Sequence, residues 1–261
     1  MKVQIASDLH FEFHRDLGKS YIGRIDPSGV DVLILAGDIA MSRNLVTSLG
    51  FICKCYADSK VIYVHGNHEY YMSYREECHI NTKAAEAQNP NLIWLHHDLV
   101  EIDGIRFLGT PLWFRDHPDN YAWAPMMNDF RTIERFESWV YNDNQEAIDF
   151  LEENLCEGDF VITHHLPTEW SIANRYKDSG LNRFFVCDMK DLILDRAPAF
   201  WVHGHTHDAC DYNVAPHGNK KTITRVICNP MGYPREQTSY NHKLVIETAP
   251  EFTASDIDGN H

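Results

Sequence analysis

The chain has 261 residues, 44% of them hydrophobic, and a formal net charge of -15. That length and apolar content suit one large α/β domain or two small ones and exclude a disordered chain. The charge repels nucleic-acid backbones and anionic lipid surfaces, no run reaches the ~18 to 20 apolar residues of a membrane span, and "MKVQIASDLH" is too short an apolar run for a signal peptide.

In chain order, the first predicted strand is "VQIA", which stops at Ser7, Asp8, Leu9 and His10. Val32 to Ala36 reads as a fully buried strand, with Gly37 and Asp38 at its end. A helix is predicted over about 44–56, carrying Cys53 and Cys55. "VIYVHGNHE" places Gly66, Asn67, His68 and Glu69 directly after Val64, and a second helix is predicted over 75–88. In "DLVEIDGIRFLG" (98–109), Asp103 and Gly104 separate two apolar runs, the strongest short hairpin signal. A helix over 144–156 precedes "FVITHHLP", in which His164 and His165 follow the apolar run, and another is predicted over 188–195. "APAFWV" reads as a strand bounded by Pro198 and Gly204, after which come His205 and His207. "KTITRVICN" and "HKLVIE" read as further strands. Strand and helix alternate, which argues for α/β architecture, and the surplus of antiparallel strands predicts a second sheet packed on the first.

Five strand ends therefore carry Asp8, His10, Asp38, Asn67, His68, His164, His165, His205 and His207. The carboxyl ends of strands are where open α/β sheets bind ligands. Each cluster alone is commonplace; all of them, each directly after an apolar run, are not. In a strand-like stretch residues two apart share a face, so His205 and His207 are expected to converge. Neutral imidazoles suit zinc, iron, nickel or copper, and a carboxylate can bridge two cations. The seven cysteines show no paired metal spacing and read as reduced thiols of a cytoplasmic protein.

The motifs "SDLH", "LAGDIA", "HGNHE", "ITHH" and "HGHTH" together resemble those of the calcineurin-like metallophosphoesterases. The resemblance implies a four-layer αββα sandwich with two central mixed sheets, a single domain over residues 1–250 followed by a polar tail at 251–261. It implies two divalent metal ions, manganese first, with iron, zinc or nickel as alternatives. Asp8, His10, Asp38 and His207 would hold one; Asp38 would bridge to a second held by Asn67, His164 and His205. A hydroxide shared between the ions would attack a small-molecule phosphomonoester or phosphodiester, a nucleotide being one candidate. His68 would act as general acid or phosphate-orienting group. Glu69 would either orient His68 or a neighbouring group, or sit as a solvated turn carboxylate. His65, His165 and His203 are expected to face away as core or supporting residues.

Substrate choice must come from elsewhere. Residues 112–141 are unusually aromatic and contain turn formers, so they either bury their own aromatics or cap the site with Trp113, Phe114, Tyr121 and Trp123. Trp123 is the expected stacking face, and Arg115 or Arg131 the phosphate contact. "NPMGYPRE" (229–236) is a second candidate border of the cleft. A protein phosphatase of this superfamily would carry G-D-x-x-D-R-G where this chain has "GDIAMSRN", and a nuclease would bring a capping domain for which little chain is left. A non-catalytic scaffold would lose ligands that this sequence keeps.

Overall fold

The chain folds in the computed structural model, which describes residues 1–248, as β1 (Lys2–Ala6), α1 (Lys19–Ile22), β2 (Val32–Ala36), α2 (Ser42–Cys55), β3 (Lys60–Val64), α3 (Arg75–Gln88) and β4 (Leu92–Trp94). There follow β5 (Asp98–Ile102), β6 (Ile105–Gly109), α4 (Asn120–Trp123), α5 (Asp129–Thr132), α6 (Val140–Asn154), β7 (Phe160–Ile162), α7 (Lys190–Arg196), β8 (Phe200–His203), β9 (Cys210–Val214), β10 (Thr224–Cys228) and β11 (Val245–Glu247). The tail expected at 251–261 lies outside the described residues.

Two sheets form, in the orders β11-β1-β2-β3-β4 and β5-β6-β7-β8-β10-β9. In the first, β1 to β4 run parallel and β11 caps the edge antiparallel to β1. Asp103 and Gly104 both take positive φ, 49° and 79°, and turn β5 back onto β6 as the sequence predicts. The second sheet is mixed, as the resemblance implies, with antiparallel pairs β5-β6 and β10-β9 at its two edges. Its middle strands β6, β7, β8 and β10 are parallel, and "HKLVIE" joins the first sheet instead. The reason is that β7 and β8 each return through a helix on the far face, which restores a parallel crossover.

Side-chain alternation explains the layers. Val3, Ile5, Val32, Ile34, Ile62 and Val64 point between the sheets and meet Phe107, Phe160, Ile162, Val202 and Ile227. Their neighbours Leu33, Leu35, Val61 and Tyr63 face outward onto α2, which buries Leu45, Leu49, Ile52 and Cys53 at helical spacing. On the other outer face Leu108, Val161, Trp201 and Val226 meet Ala147, Ile148 and Leu151 of α6 and Ile193 of α7. The four layers of the predicted sandwich are therefore present. Helix α6 begins at Val140, four residues before the expected start, because Val140 and Asp143 are themselves buried. No helix among the described residues is long and apolar enough to cross a membrane.

A satellite core lies over the strand ends, where Trp113, Phe114, Phe136 and Phe184 pack with Tyr70 and Tyr71. Asp143 at the base of α6 anchors it, accepting from the Arg75 guanidinium and, at 2.9 Å, from the Trp113 indole N–H. Burial works against this carboxylate, but the imidazoles of His96 and His97, 3.4 and 3.5 Å away, outweigh it and hold Asp143 far below the usual carboxylate range. A depressed folded pKa contributes stability above the unfolded value near ~4 and loses it as pH falls further. Asp143→Ala is expected to cost about 3 kcal/mol at pH 7 in urea denaturation, with the gap from wild type narrowing as pH drops below about 4. An unchanged midpoint at pH 7 would contradict the anchoring role.

Candidate metal centre

Each ligand candidate sits just beyond a strand: Asp8 and His10 after β1, Asp38 after β2, Asn67 and His68 after β3, His164 after β7, His205 and His207 after β8. All are buried apart from a partly open His207. Asp8, His10, Asp38 and His207 bring donor atoms within 4.8 Å of one another, and Asp38, His164 and His205 do likewise. Asp38 belongs to both sets. Its Oδ2 lies 3.7 Å from His10 Nε2 and 3.4 Å from His164 Nε2, so one oxygen faces both groups, while Oδ1 accepts the His68 backbone N–H at 2.8 Å. The Asn67 side-chain oxygen lies 3.1 Å from His164 Nε2 and completes the second set.

The backbone is bent hard to achieve this. Asp8, His10, Asp38, His205 and His207 all take positive φ, between 46° and 69°, a region that costs non-glycine residues of order 1 kcal/mol each. His205 and His207 therefore do not converge by strand alternation. Strand β8 ends at His203, and the turn beyond it sends His205 to Asp38 and His164 but His207 to Asp8 and His10. Gly66 permits the close approach: a Cβ there would collide with Asp38 Oδ1 and lie 2.7 Å from His164 Cε1.

The imidazoles are aimed by their other nitrogens. Nδ1 of His164 meets the Ala36 carbonyl at 2.8 Å, Nδ1 of His207 meets Glu236 at 2.7 Å, and Nδ1 of His10 meets Glu12 at 3.1 Å, which leaves each Nε2 toward the centre. His205 Nε2 is buried with no protein partner. An unpaired buried nitrogen in a residue grouped with Asp38 and His164 is what a divalent cation would satisfy, and the mixed nitrogen and oxygen donors suit a transition metal. The residues thus fit the metal ions that the sequence implies.

Charge in the centre follows the same geometry. Burial disfavours a charged His164, yet Asp38 overrides it and pushes the ring up to about 10; against the same burial, Asp8 and Glu236 push His207 up to about 9. His205 goes the other way, pushed well down by burial and by the neighbouring His165 and His164.

His68 stands beside the ligands. Its Nδ1 is 2.9 Å from Glu12 Oε1, its Nε2 is 2.9 Å from the Tyr233 hydroxyl, and its ring stacks on Tyr71 at 4.1 Å. Burial opposes its charge, but Asp38 and Glu12 raise it above the ordinary imidazole value. Glu69 is not a solvated turn carboxylate and orients the neighbouring backbone rather than His68. It is fully buried and accepts the backbone N–H groups of Asp38, Ile39 and Gly66 at 3.0, 2.7 and 2.8 Å, tying two strand-end loops together. His65, His165 and His203 are buried and turned away: His65 pairs with Tyr70 and Thr82, His165 with the Pro111 carbonyl, and His203 with Ser171.

A cavity of about 390 Å³ opens over the centre, within the range of small-molecule sites. Residues 112–141 bury Trp113 and Phe114 in the satellite core, and the part of the segment that lines the cavity is Met126 to Asp129, not the four aromatics expected to cap it. Trp123 and Arg115 are not in its wall. Trp123 packs half-buried against Gly180, and the exposed Arg115 reaches the Asp188 carbonyl at 3.3 Å, because both lie on the outer side of the satellite core. The 229–236 stretch does border the cleft, through Tyr233 and Glu236. Three contributors escaped sequence reasoning. Asp129 and Tyr71 bind the Asn67 amide nitrogen at 2.9 and 3.1 Å, turning its oxygen inward, and Glu12 holds both His10 and His68. Only Glu12, two residues after His10, sat near enough to a motif to be noticed.

Residues 1–209 match the family described as calcineurin-like phosphoesterase. An uncharacterised protein of Acanthamoeba polyphaga mimivirus is 26% identical over 281 residues, covering 94% of this chain and 96% of the relative. Among solved structures, a phosphopantetheinyl hydrolase from Mycobacterium tuberculosis superposes with a TM-score of 0.67 at 17% identity, covering 90% of each chain. A Thermus thermophilus protein gives 0.53 at 13% identity, covering 86% of this chain and 88% of that one. At these identities the structures speak for the fold, whereas the family match spans most of the sequence and every strand-end motif from Asp8 to His207, and so the chain belongs to the calcineurin-like phosphoesterases, metal-dependent hydrolases of phosphoester bonds.

Proposed function

We propose that the protein is a dinuclear hydrolase of a small-molecule phosphoester, with Asp8, His10, Asp38 and His207 holding one ion and Asp38, Asn67, His164 and His205 the other. The observation that carries this reading is that both donor sets share Asp38 at adjoining strand ends. When bound, two divalent ions supply Lewis acidity, which lowers the pKa of water toward about 7 and offsets charge on phosphoryl oxygens. The chain itself supplies position and protons. His68, held by Glu12 and reaching the Tyr233 hydroxyl, presents an N–H beside the centre where a departing alkoxide needs a proton. Asp38 and Glu12 favour its protonated form against the cost of burial, which suits either proton donation or orientation of the phosphate. Asp129 and Tyr71 fix the Asn67 oxygen before substrate arrives, so no reorganisation is needed during reaction. Manganese is the favoured ion, and the seven free thiols support a cytoplasmic setting.

The test is metal removal. Dialysis against a chelator is expected to abolish p-nitrophenyl phosphate hydrolysis, and titration with manganese to restore it at two ions per chain. Parallel titrations with iron, zinc and nickel rank the metals. A stripped protein of undiminished activity, or none restored by any of the four ions, would refute the proposal.

A further inference from the structure

The cavity wall beyond the centre has an uneven chemistry. Its apolar side is built from Leu166, Ile172, Leu181, Phe185 and Met127, with the Phe185 ring 4.4 Å from that of His205. The polar groups interleaved with them are neutral: Asn128, Ser179 and Asn182. Among the described residues no lysine or arginine lines it. Of the arginines next to its lining residues in the chain, Arg175 pairs with Asp208 at 2.7 Å, Arg183 donates to the Gly180 carbonyl at 3.2 Å and Arg131 to the Asn128 side-chain oxygen at 2.6 Å, and neither these nor Arg235 enter the wall. Two further carboxylates, Asp129 and Glu236, do line the cavity, in a chain of net charge -15.

A phosphate needs charged donors or a metal to offset its desolvation, and guanidinium or ammonium groups are the usual supply. Here the metal centre can serve one phosphoryl group. A second, carried at the far end of the substrate, would enter an apolar wall that offers no lysine or arginine. Resting on the phosphoesterase reading above, we propose that the enzyme selects esters with a single phosphoryl group whose organic part is uncharged and largely apolar, and discriminates against substrates with a second phosphate. Leu181 and Phe185 are then specificity residues, offering apolar surface to that part, and Asn182 can meet a hydroxyl or amide along it. Nucleotides with polyphosphate chains fall outside this class.

Matched substrates separate the terms. Phosphate release from methyl, butyl and hexyl phosphate measures the apolar wall, since these differ in length with a similar leaving group. Each methylene buried is worth up to about 4-fold, the ~0.8 kcal/mol of a buried CH2, so kcat/KM is expected to rise at least tenfold from methyl to hexyl. The pair 6-hydroxyhexyl phosphate and hexane-1,6-diol bisphosphate differs only in the second phosphate, and the bisphosphate is expected to be at least tenfold poorer. In Leu181→Lys the pair should draw together or reverse, and the chain-length gain should shrink. p-Nitrophenyl phosphate serves as the reference for each protein. If it is hydrolysed while kcat/KM is flat with chain length, or while the bisphosphate equals its partner, the specificity proposal is overturned and the phosphoesterase reading stands. If the metal-loaded wild type hydrolyses neither these esters nor bis-p-nitrophenyl phosphate, both fall.

Discussion

Asp38→Ala is expected to lose both metal ions and to drop hydrolysis to background, a fall of more than about 10⁴-fold. No other side chain belongs to both donor sets, and its Oδ2 alone faces both His10 and His164. The substitution also removes the acceptor of the His68 backbone N–H. Elemental analysis of the purified variant gives the ion count, and a melting curve shows whether it is folded. A folded Asp38→Ala protein retaining two ions per chain would end the assignment of Asp38 as the shared ligand. His207→Ala, by contrast, should deplete one set only, because His207 reaches Asp8 and His10 but not His164 or His205.

His68→Ala is expected to keep both ions and lose about 10²- to 10⁴-fold in kcat, the usual worth of a general acid. The loss should shrink for p-nitrophenolate and other leaving groups that depart without a proton. Glu12→Gln provides the companion measurement. It removes the negative charge that helps hold His68 above its ordinary value while keeping an acceptor near Nδ1, so the limb of the pH profile that reports the proton donor should move to lower pH. An equal loss across leaving groups in His68→Ala reassigns the ring to orienting the phosphate, and loss of metal in that variant would refute its separation from the ligands.

The parts of this molecule legible in its sequence were those written locally. Asp8, Asp38, Asn67, His164 and His205 each follow directly on a strand whose apolar run announces it, and strand ends are where the fold gathers its chemistry. The hairpin at Asp103 and Gly104 was legible for the same reason, since two adjacent residues suited to positive φ define the turn. Strand direction was not: β7 pairs with β6 and β8, and nothing within "FVI" says whether its partners run with it or against it. The wall of the cavity was the least legible part. Asp129 and Tyr71 reach Asn67 from 62 and 4 residues away, and Trp123 looked exposed only because its packing partner, Gly180, lies 57 positions on. Periodicity has no access to contacts of that span.

The donors of the centre come from both sheets. Asp8, His10, Asp38 and Asn67 hang from strands of the first, while His164, His205 and His207 hang from strands of the second, and each donor set draws on both. Between the layers lie the apolar contacts of Val3, Ile34 and Val64 against Phe160, Ile162 and Val202, with a few hydrogen bonds at the strand ends, among them His164 Nδ1 to the Ala36 carbonyl and the His205 N–H to Asp8. A bound ion is therefore also a rivet through the two leaves of the sandwich. Because it engages only the closed arrangement, its binding energy adds to the stability of the folded chain by mass action. Metal scarcity would then loosen the seam between the sheets as well as silence the catalyst, so that supply of the ion governs how long the protein lasts in addition to how fast it works.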